Sequence, residues 1–336
     1  MNKFFIILII IILVYNISII IINYNNKIEK IIVNKKTKLI KYINTNLNNS
    51  DRKLFLVISP ELGDNIIFNG GVRYYCTKYN TVILVCKESY FEQISYMYRD
   101  LSNLLFYSLP DKYFNQYINY NIPYTDDEVN KLFKIYNIEY INFFNKNMNN
   151  VYNYIYDYIF TDNITRTYTT FNLDSNIAYT YFKLIRDNER EQKLYDELVN
   201  IIGDKYIVII DDEKRNFMIN DKYIKKIELP IYKLSKNSKN NDKRLDNIKS
   251  KYIFDNIKIL EKAERVISID TALPWIINFL NIKVNISIYP ARIDNIIYRN
   301  KNIKKLKTYT SDIINSNLNI NNYYLKYPYD SFKSIL

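Results

Sequence analysis

Lys53-Leu54-Phe55-Leu56-Val57-Ile58-Ser59-Pro60-Glu61-Leu62-Gly63-Asp64-Asn65-Ile66-Ile67-Phe68-Asn69-Gly70-Gly71-Val72-Arg73 is the stretch that decides the fold. Leu54–Ser59 is a short apolar run of the length of a buried strand. From Asn65 to Tyr79 the apolar residues recur at helical spacing. Between the two lies a turn holding Gly63. The chain has only four glycines, and Gly63, Gly70 and Gly71 fall within nine residues of one another. Glycine permits sharp turns and close approach, yet inside a helix it costs ~1 kcal/mol relative to alanine. Gly70 and Gly71 therefore imply close packing, or a ligand approaching that helix.

Working outward, Thr81–Cys86 is a second β-rich run, Tyr90–Leu101 is helical, and Leu104–Ser108 is a third strand. This strand–helix alternation predicts a parallel sheet with helices on its faces. Tyr113–Ile185 is rich in aromatics and Asn; within and beyond it, Asp126–Tyr136 and Ile177–Val199 carry helical spacing. Gly203 ends a helix, and Tyr206–Asp211 opens a second α/β unit. Lys233–Ser250 is polar and reads as a mobile loop. In Tyr252–Glu264, Ile253, Ile257, Leu260 and Ala263 share one helical face. Arg265–Ile269 and Val284–Tyr289 follow as strands around a helix at Leu273–Leu280.

The chain has 336 residues, a formal charge of +12, and no histidine. A basic balance suits an anionic partner or simply a solvated surface. The lack of His removes His-based triads, metal ligands and general bases. Cys76 and Cys86 are the only cysteines, without metal-ligand spacing. Acid–base chemistry must therefore use Asp, Glu, Lys or Tyr. Tyr, Asn, Ile and Lys are heavily used throughout, so a single Tyr, Asn or Lys carries little information.

Phe4–Ile22 is nearly unbroken Ile, Leu, Phe and Val. Nineteen such residues at ~1.5 Å rise just cross a ~30 Å hydrocarbon core. A cleaved signal usually has a shorter apolar region that ends at small residues, so an uncleaved anchor over 1–23 is expected. Lys27, Lys30, Lys35, Lys36, Lys38 and Lys41 follow it, which puts the body in the cytoplasm by the positive-inside rule. The same lysines suit anionic lipid. The expected order is this anchor, a basic linker over 24–52, a domain over 53–185, a second over 186–310, and a tail over 311–336. No nucleic-acid module is recognisable.

Three turns carry candidate chemistry. The first is Gly63-Asp64, at the carboxyl edge of a strand, where open α/β sheets bind ligands; the plain alternative is a capping Asp. The second is Ile269-Asp270-Thr271-Ala272-Leu273-Pro274, where a helix starts with Pro in its first turn. Such a start offers N–H groups to an anion, and simple capping is again the alternative. The third is Asp211-Asp212-Glu213-Lys214-Arg215-Asn216-Phe217. There Arg215 could fork onto a phosphate, or the stretch is a solvated charge run.

Ser59–Arg73 resembles the "GLGDHIICNGLVR" segment of putative glycosyltransferases of bacteria and giant viruses, relatives of the heptosyltransferase-like enzymes. Met97-Tyr98-Arg99-Asp100-Leu101, Tyr206–Phe217 and Leu260–Leu273 are similar to three further segments of that family, in order. The likeness covers roughly Lys53–Leu109 and Lys205–Ile288. Glu61 stands where the family has Gly, Asn65 and Ile210 where it has His, and Thr271-Ala272 where it has Ser-Ser.

The resemblance implies an α/β fold with a GT-B-like pair of Rossmann-like domains and parallel sheets, which the transmembrane helix read from Phe4–Ile22 would precede. It implies sugar transfer from a nucleotide-sugar donor, which is a substrate, so no separate cofactor is expected. The acceptor is a hydroxyl of a glycan, a lipid-linked glycan or a protein. Asp64 is implied as general base; Gly63, Asn65 and Arg73 lie on the acceptor side. Lys214, Arg215, Asp270, Thr271 and Ala272 would hold the donor, its diphosphate being neutralised without a metal. The family's missing His residues keep a second possibility open: an inactive sugar- or nucleotide-binding member of the same fold.

Overall fold

The computed structural model describes residues 36–47, 51–59, 61–114, 127–142, 163–211, 227–234, 240–269, 271–289 and 323–324. The strands are β1 (Lys53–Val57), β2 (Thr81–Lys87), β3 (Leu104–Leu109), β4 (Ile138–Asn142), β5 (Ile207–Ile210), β6 (Ile231–Lys233), β7 (Arg265–Ile269), β8 (Ile286–Tyr289) and β9 (Tyr323–Tyr324). The helices are α1 (36–46), α2 (Leu62–Ile67), α3 (Asn69–Cys76), α4 (Glu88–Met97), α5 (Asp127–Ile135), α6 (Asn163–Thr170), α7 (Ile177–Thr180), α8 (Asn188–Ile202), α9 (Ile257–Lys262) and α10 (Ala272–Phe279). The chain divides into two compact units. The first holds residues up to Pro60 with Cys76–Phe91 and Asn103–Asn145; the second holds Glu61–Tyr75, Glu92–Ser102 and the chain from Lys146.

The first unit is built on a parallel sheet in the order β3-β2-β1-β4. Leu54 lies beside Val82 on one side and Glu139 on the other. Parallel strands are covered on both faces by their crossovers, so they read as continuous apolar runs. All five residues of β1 are buried. Even Lys53 is buried, its ammonium reaching back to the carbonyls of Asp51 (2.7 Å) and Tyr136 (3.2 Å). On one sheet face Phe55, Val57, Ile83, Val85, Tyr107 and Leu109 join Leu39 and Ile43 of α1 and Val129 and Phe133 of α5 in one core.

Part of the stretch 24–52, read as a linker, carries structure of its own. Residues 36–46 are a helix whose Leu39 and Ile43 are fully buried in that core. Four-residue spacing puts both on one helical face; the surrounding lysines had masked the pattern. β4 likewise emerges from the aromatic, Asn-rich stretch that local spacing left unparsed.

The second unit holds a parallel sheet in the order β6-β5-β7-β8-β9. The expected helix over Asn65–Tyr79 is two helices, α2 and α3, and it begins earlier, at Leu62. The Tyr168 hydroxyl holds the break: it accepts from Gly71 N at 2.9 Å and donates to the Ile67 carbonyl at 3.2 Å. Phe68 at the break stacks on Phe171, with centroids 4.2 Å apart. The expected helix over Ile177–Val199 is also two, α7 and α8. Gly203 ends α8 at φ 81°, as read from sequence. The expected loop over Lys233–Ser250 contains a short 3-10 helix, Lys243–Asn247, with Leu245 buried. A 3-10 turn, Ile253–Asn256, precedes α9.

Segment Glu92–Ser102 is fastened inside this unit. Tyr96 stacks on Tyr252 (3.7 Å between centroids, planes 11° apart), and the Arg190 guanidinium lies 4.9 Å over Tyr96 while pairing with Asp255 at 3.0 Å. Gln93 exchanges hydrogen bonds with the backbone, donating to the Lys251 carbonyl (3.1 Å) and accepting from Ile253 N (2.9 Å). The expected domain border at 185/186 thus falls inside the second unit.

Gly70 shows why α3 tolerates glycine. A Cβ there would meet the carbonyl oxygens of Ile177 at 2.5 Å and Ala178 at 2.8 Å. These are backbone atoms with nowhere to move. Close packing, not a ligand, accounts for this residue. Gly70→Ala should destabilise the protein by about 3 kcal/mol, the upper part of the overpacking range. At Gly63 a Cβ finds nothing nearer than 3.8 Å, so Gly63→Ala should stay within about 0.5 kcal/mol. Denaturant unfolding of the two variants side by side checks both; equal losses would refute the packing account.

Candidate functional site

β1 ends at Val57 and the chain turns through Ser59 into α2. Glu61 is the N-cap, in extended conformation (φ −76°, ψ 147°), and makes no side-chain cap hydrogen bond. Asp64 is not the cap that one sequence reading made it. It is the third residue of α2, in the first turn and half-buried. A carboxylate there is favoured by the helix dipole.

α10 starts the same way. Thr271 is its N-cap (φ −122°, ψ −167°), again without a side-chain cap bond, and Pro274 lies in the first turn as expected. Its first-turn N–H groups therefore have no hydroxyl cap from Thr271. That is the condition under which a helix start receives an anion.

Two features bring the candidate turns together. A methyl group added to Gly63 would lie 3.8 Å from both the backbone N and the Cα of Ala272. The first turn of α2 and the first turn of α10 thus meet, within the second unit. Second, β5 and β7 are neighbours, with Ile210 opposite Ser268. The third candidate turn follows β5 from buried Asp211, and the second follows β7. β5 and β7 therefore end at the same edge of the sheet, side by side.

Topology adds meaning to these positions. From β5 the chain goes to β6 on one side; from β7 it goes to β8 on the other. In the first sheet β2 and β4 flank β1 on opposite sides. Reversals of this kind leave a crevice at the carboxyl ends of the strands, the usual ligand position in open α/β sheets. β1, β5 and β7 all end at such reversals.

The other expected site residues are placed differently. Asn65 is fully buried, its amide donating to the Glu61 carbonyl at 2.9 Å, so it secures the turn from within. Arg73 is also buried. Its guanidinium forks onto Asp100 at 3.0 and 2.9 Å, bonds the Met97 carbonyl at 3.2 Å, and its Nε donates to Asn69 at 3.2 Å. That set of bonds makes it a fastening of α3 to segment Glu92–Ser102. Lys214, Arg215 and Asp270 lie outside the described residues.

The Asp100 carboxyl responds to opposing effects. Burial would raise its pKa, but hydrogen bonds from Arg73 and Lys183 and the Arg73 charge hold it down at about 2. Cys86 is no nucleophile, since burial pushes its thiol up to about 12. Among the described residues no three His, Cys, Asp or Glu side chains cluster as a metal site would require. Sequence reasoning missed Tyr168 and Tyr96, because tyrosine is too frequent in this chain to stand out.

No protein-family model, no curated protein and no solved structure matches the chain.

Proposed function

We propose that the protein is a membrane-anchored glycosyltransferase of GT-B type that moves a sugar from a nucleotide-sugar donor to a hydroxyl acceptor. One observation supports this above the rest: the first turns of α2 and α10 meet at Gly63 and Ala272 within the second unit, where α10 follows β7 at a reversal of that unit's sheet order. A half-buried carboxylate beside an N-terminus without a side-chain cap is what such a transfer needs. Asp64 takes the acceptor proton as the new bond forms. The α10 start, with Thr271 and Ala272, neutralises the diphosphate that leaves. Lys214, Arg215 and Asp270 complete the donor side in this reading. Residues 4–22 supply the anchor, and the body lies in the cytoplasm.

A second reading has an observation of its own. The family's His position is taken by Asn65, which is buried and bonded to its own turn. This favours a member that binds a sugar or nucleotide without catalysing transfer. A thermal-shift screen of the full chain in mild detergent, against nucleoside diphosphates and nucleotide sugars at millimolar levels, tests the shared premise. A rise of several degrees with at least one of them is expected, since a ligand that binds only the native state stabilises it by mass action. No shift with any of them would count against both readings.

A further inference from the structure

We infer that the outer faces of α1 and α5 form a docking surface for anionic lipid headgroups. Both helices cover the same face of the first sheet, because Leu39, Ile43, Val129 and Phe133 enter one core with Phe55, Val57, Ile83 and Val85. Their outward residues therefore share one side of that unit. Lys38 and Lys41 on α1 and Lys131 and Lys134 on α5 are all exposed. Ile135, at the end of α5, is 57% exposed, more than Phe91 (40%) or Tyr179 (42%). Lys131 and Lys134, with Asn130, Asn137 and the acids Asp127 and Glu139, also line an open hollow of about 800 Å³ beside β4. Two nearby acids have cations of their own: Glu128 pairs with Lys36 at 2.7 Å and Glu139 with Arg52 at 3.0 Å; Asp127, at the start of α5, stays as one negative charge among the lysines. Lysines around an exposed aliphatic residue suit the lipid–water boundary, where charge meets headgroup phosphate and the side chain reaches the acyl region.

The chain itself argues for this occupant. The apolar stretch Phe4–Ile22 ends thirteen residues before α1 begins. Thirteen residues span at most ~45 Å when fully extended. The inference rests on the anchor reading to this extent: once Phe4–Ile22 is in the bilayer, α1 cannot leave its vicinity. Because α1 belongs to the first unit's core, that unit is held at the surface too. The acceptor of the proposed transfer is then one presented at the membrane.

Amine-reactive footprinting of the full chain in nanodiscs tests this. In discs with phosphatidylserine, labelling of Lys38, Lys41, Lys131 and Lys134 should fall about fivefold relative to neutral discs. High salt should restore it. Lys193, exposed on α8 in the second unit, should not change. The double variant Lys131→Gln/Lys134→Gln should also lessen protection at Lys38 and Lys41. Equal labelling in both discs, or an equal fall at Lys193, overturns the proposal. Alkaline extraction from membranes reports separately on the anchor. A chain that is retained but unprotected refutes the surface alone. A chain that is extracted, yet sediments with anionic vesicles in a salt-sensitive way, refutes the anchor and keeps the surface.

Discussion

Arg73→Met should destabilise the protein by about 3–5 kcal/mol, the cost of breaking a buried ion pair and leaving one partner behind. Arg73 is 6% exposed and Asp100's side chain 15%. The substitution keeps most of the apolar volume but strips Asp100 of its two-pronged partner. Lys183, at 3.0 Å, is the remaining cation in contact, and its own side chain is largely exposed. The same pair predicts an acid response. The Asp100 carboxyl titrates at about 2 when folded, against ~3.9 for an unfolded Asp. Between those values the unfolded chain binds more protons, so stability falls as pH falls. The contribution, up to about 2 kcal/mol, is whole above roughly pH 5 and gone below pH 2. Urea unfolding at pH 7 and pH 3 should show wild type losing more on acidification than Arg73→Met. An unchanged midpoint in the variant at pH 7 would show that the pair contributes little.

Asp64→Asn should abolish transfer by a factor of about 10²–10⁴, the usual contribution of a positioned general base, while leaving the thermal shift by nucleotide intact. Asn preserves size and polarity. The helix loses a first-turn charge, worth about 0.3–1 kcal/mol, and Asn keeps a side-chain acceptor at the same place, so the fold survives. The readout is release of nucleoside diphosphate from whichever nucleotide sugar gives the largest shift. Loss of turnover with retained binding separates a base from a donor contact. Unchanged turnover would remove Asp64 from the chemistry, and loss of both would move it to the donor side.

Much of the fold was legible because parallel strands buried on both faces are short, contiguous apolar runs. β1, β2, β3, β5 and β7 were read within two residues or so of their ends. β4, Ile-Glu-Tyr-Ile-Asn, sits at the edge of its sheet and alternates into polar residues, so it vanished into its Asn- and Tyr-rich surroundings. α1 was lost for a related reason: Leu39 and Ile43 are outnumbered locally by lysines, and two anchors are too few to show a period. The break at Phe68 depends on a hydroxyl from Tyr168, a hundred positions away, which no local window contains.

At the site, sequence supplied the residue types and, through Pro274 in its first turn, the start of α10; Gly63, read as the turn, is the second residue of α2. Sequence also determined the alternation of strand and helix, since apolar spacing is a local property. Only the tertiary structure decided what those turns meet. Gly63 and Ala272 are more than two hundred positions apart, and their contact follows from sheet order and crossover path, which spacing does not encode. The same holds for Arg73, which read as a ligand contact and bonds Asp100, and for Gly70, where sequence offered close packing or a ligand and the backbone of Ile177 and Ala178 decides for packing.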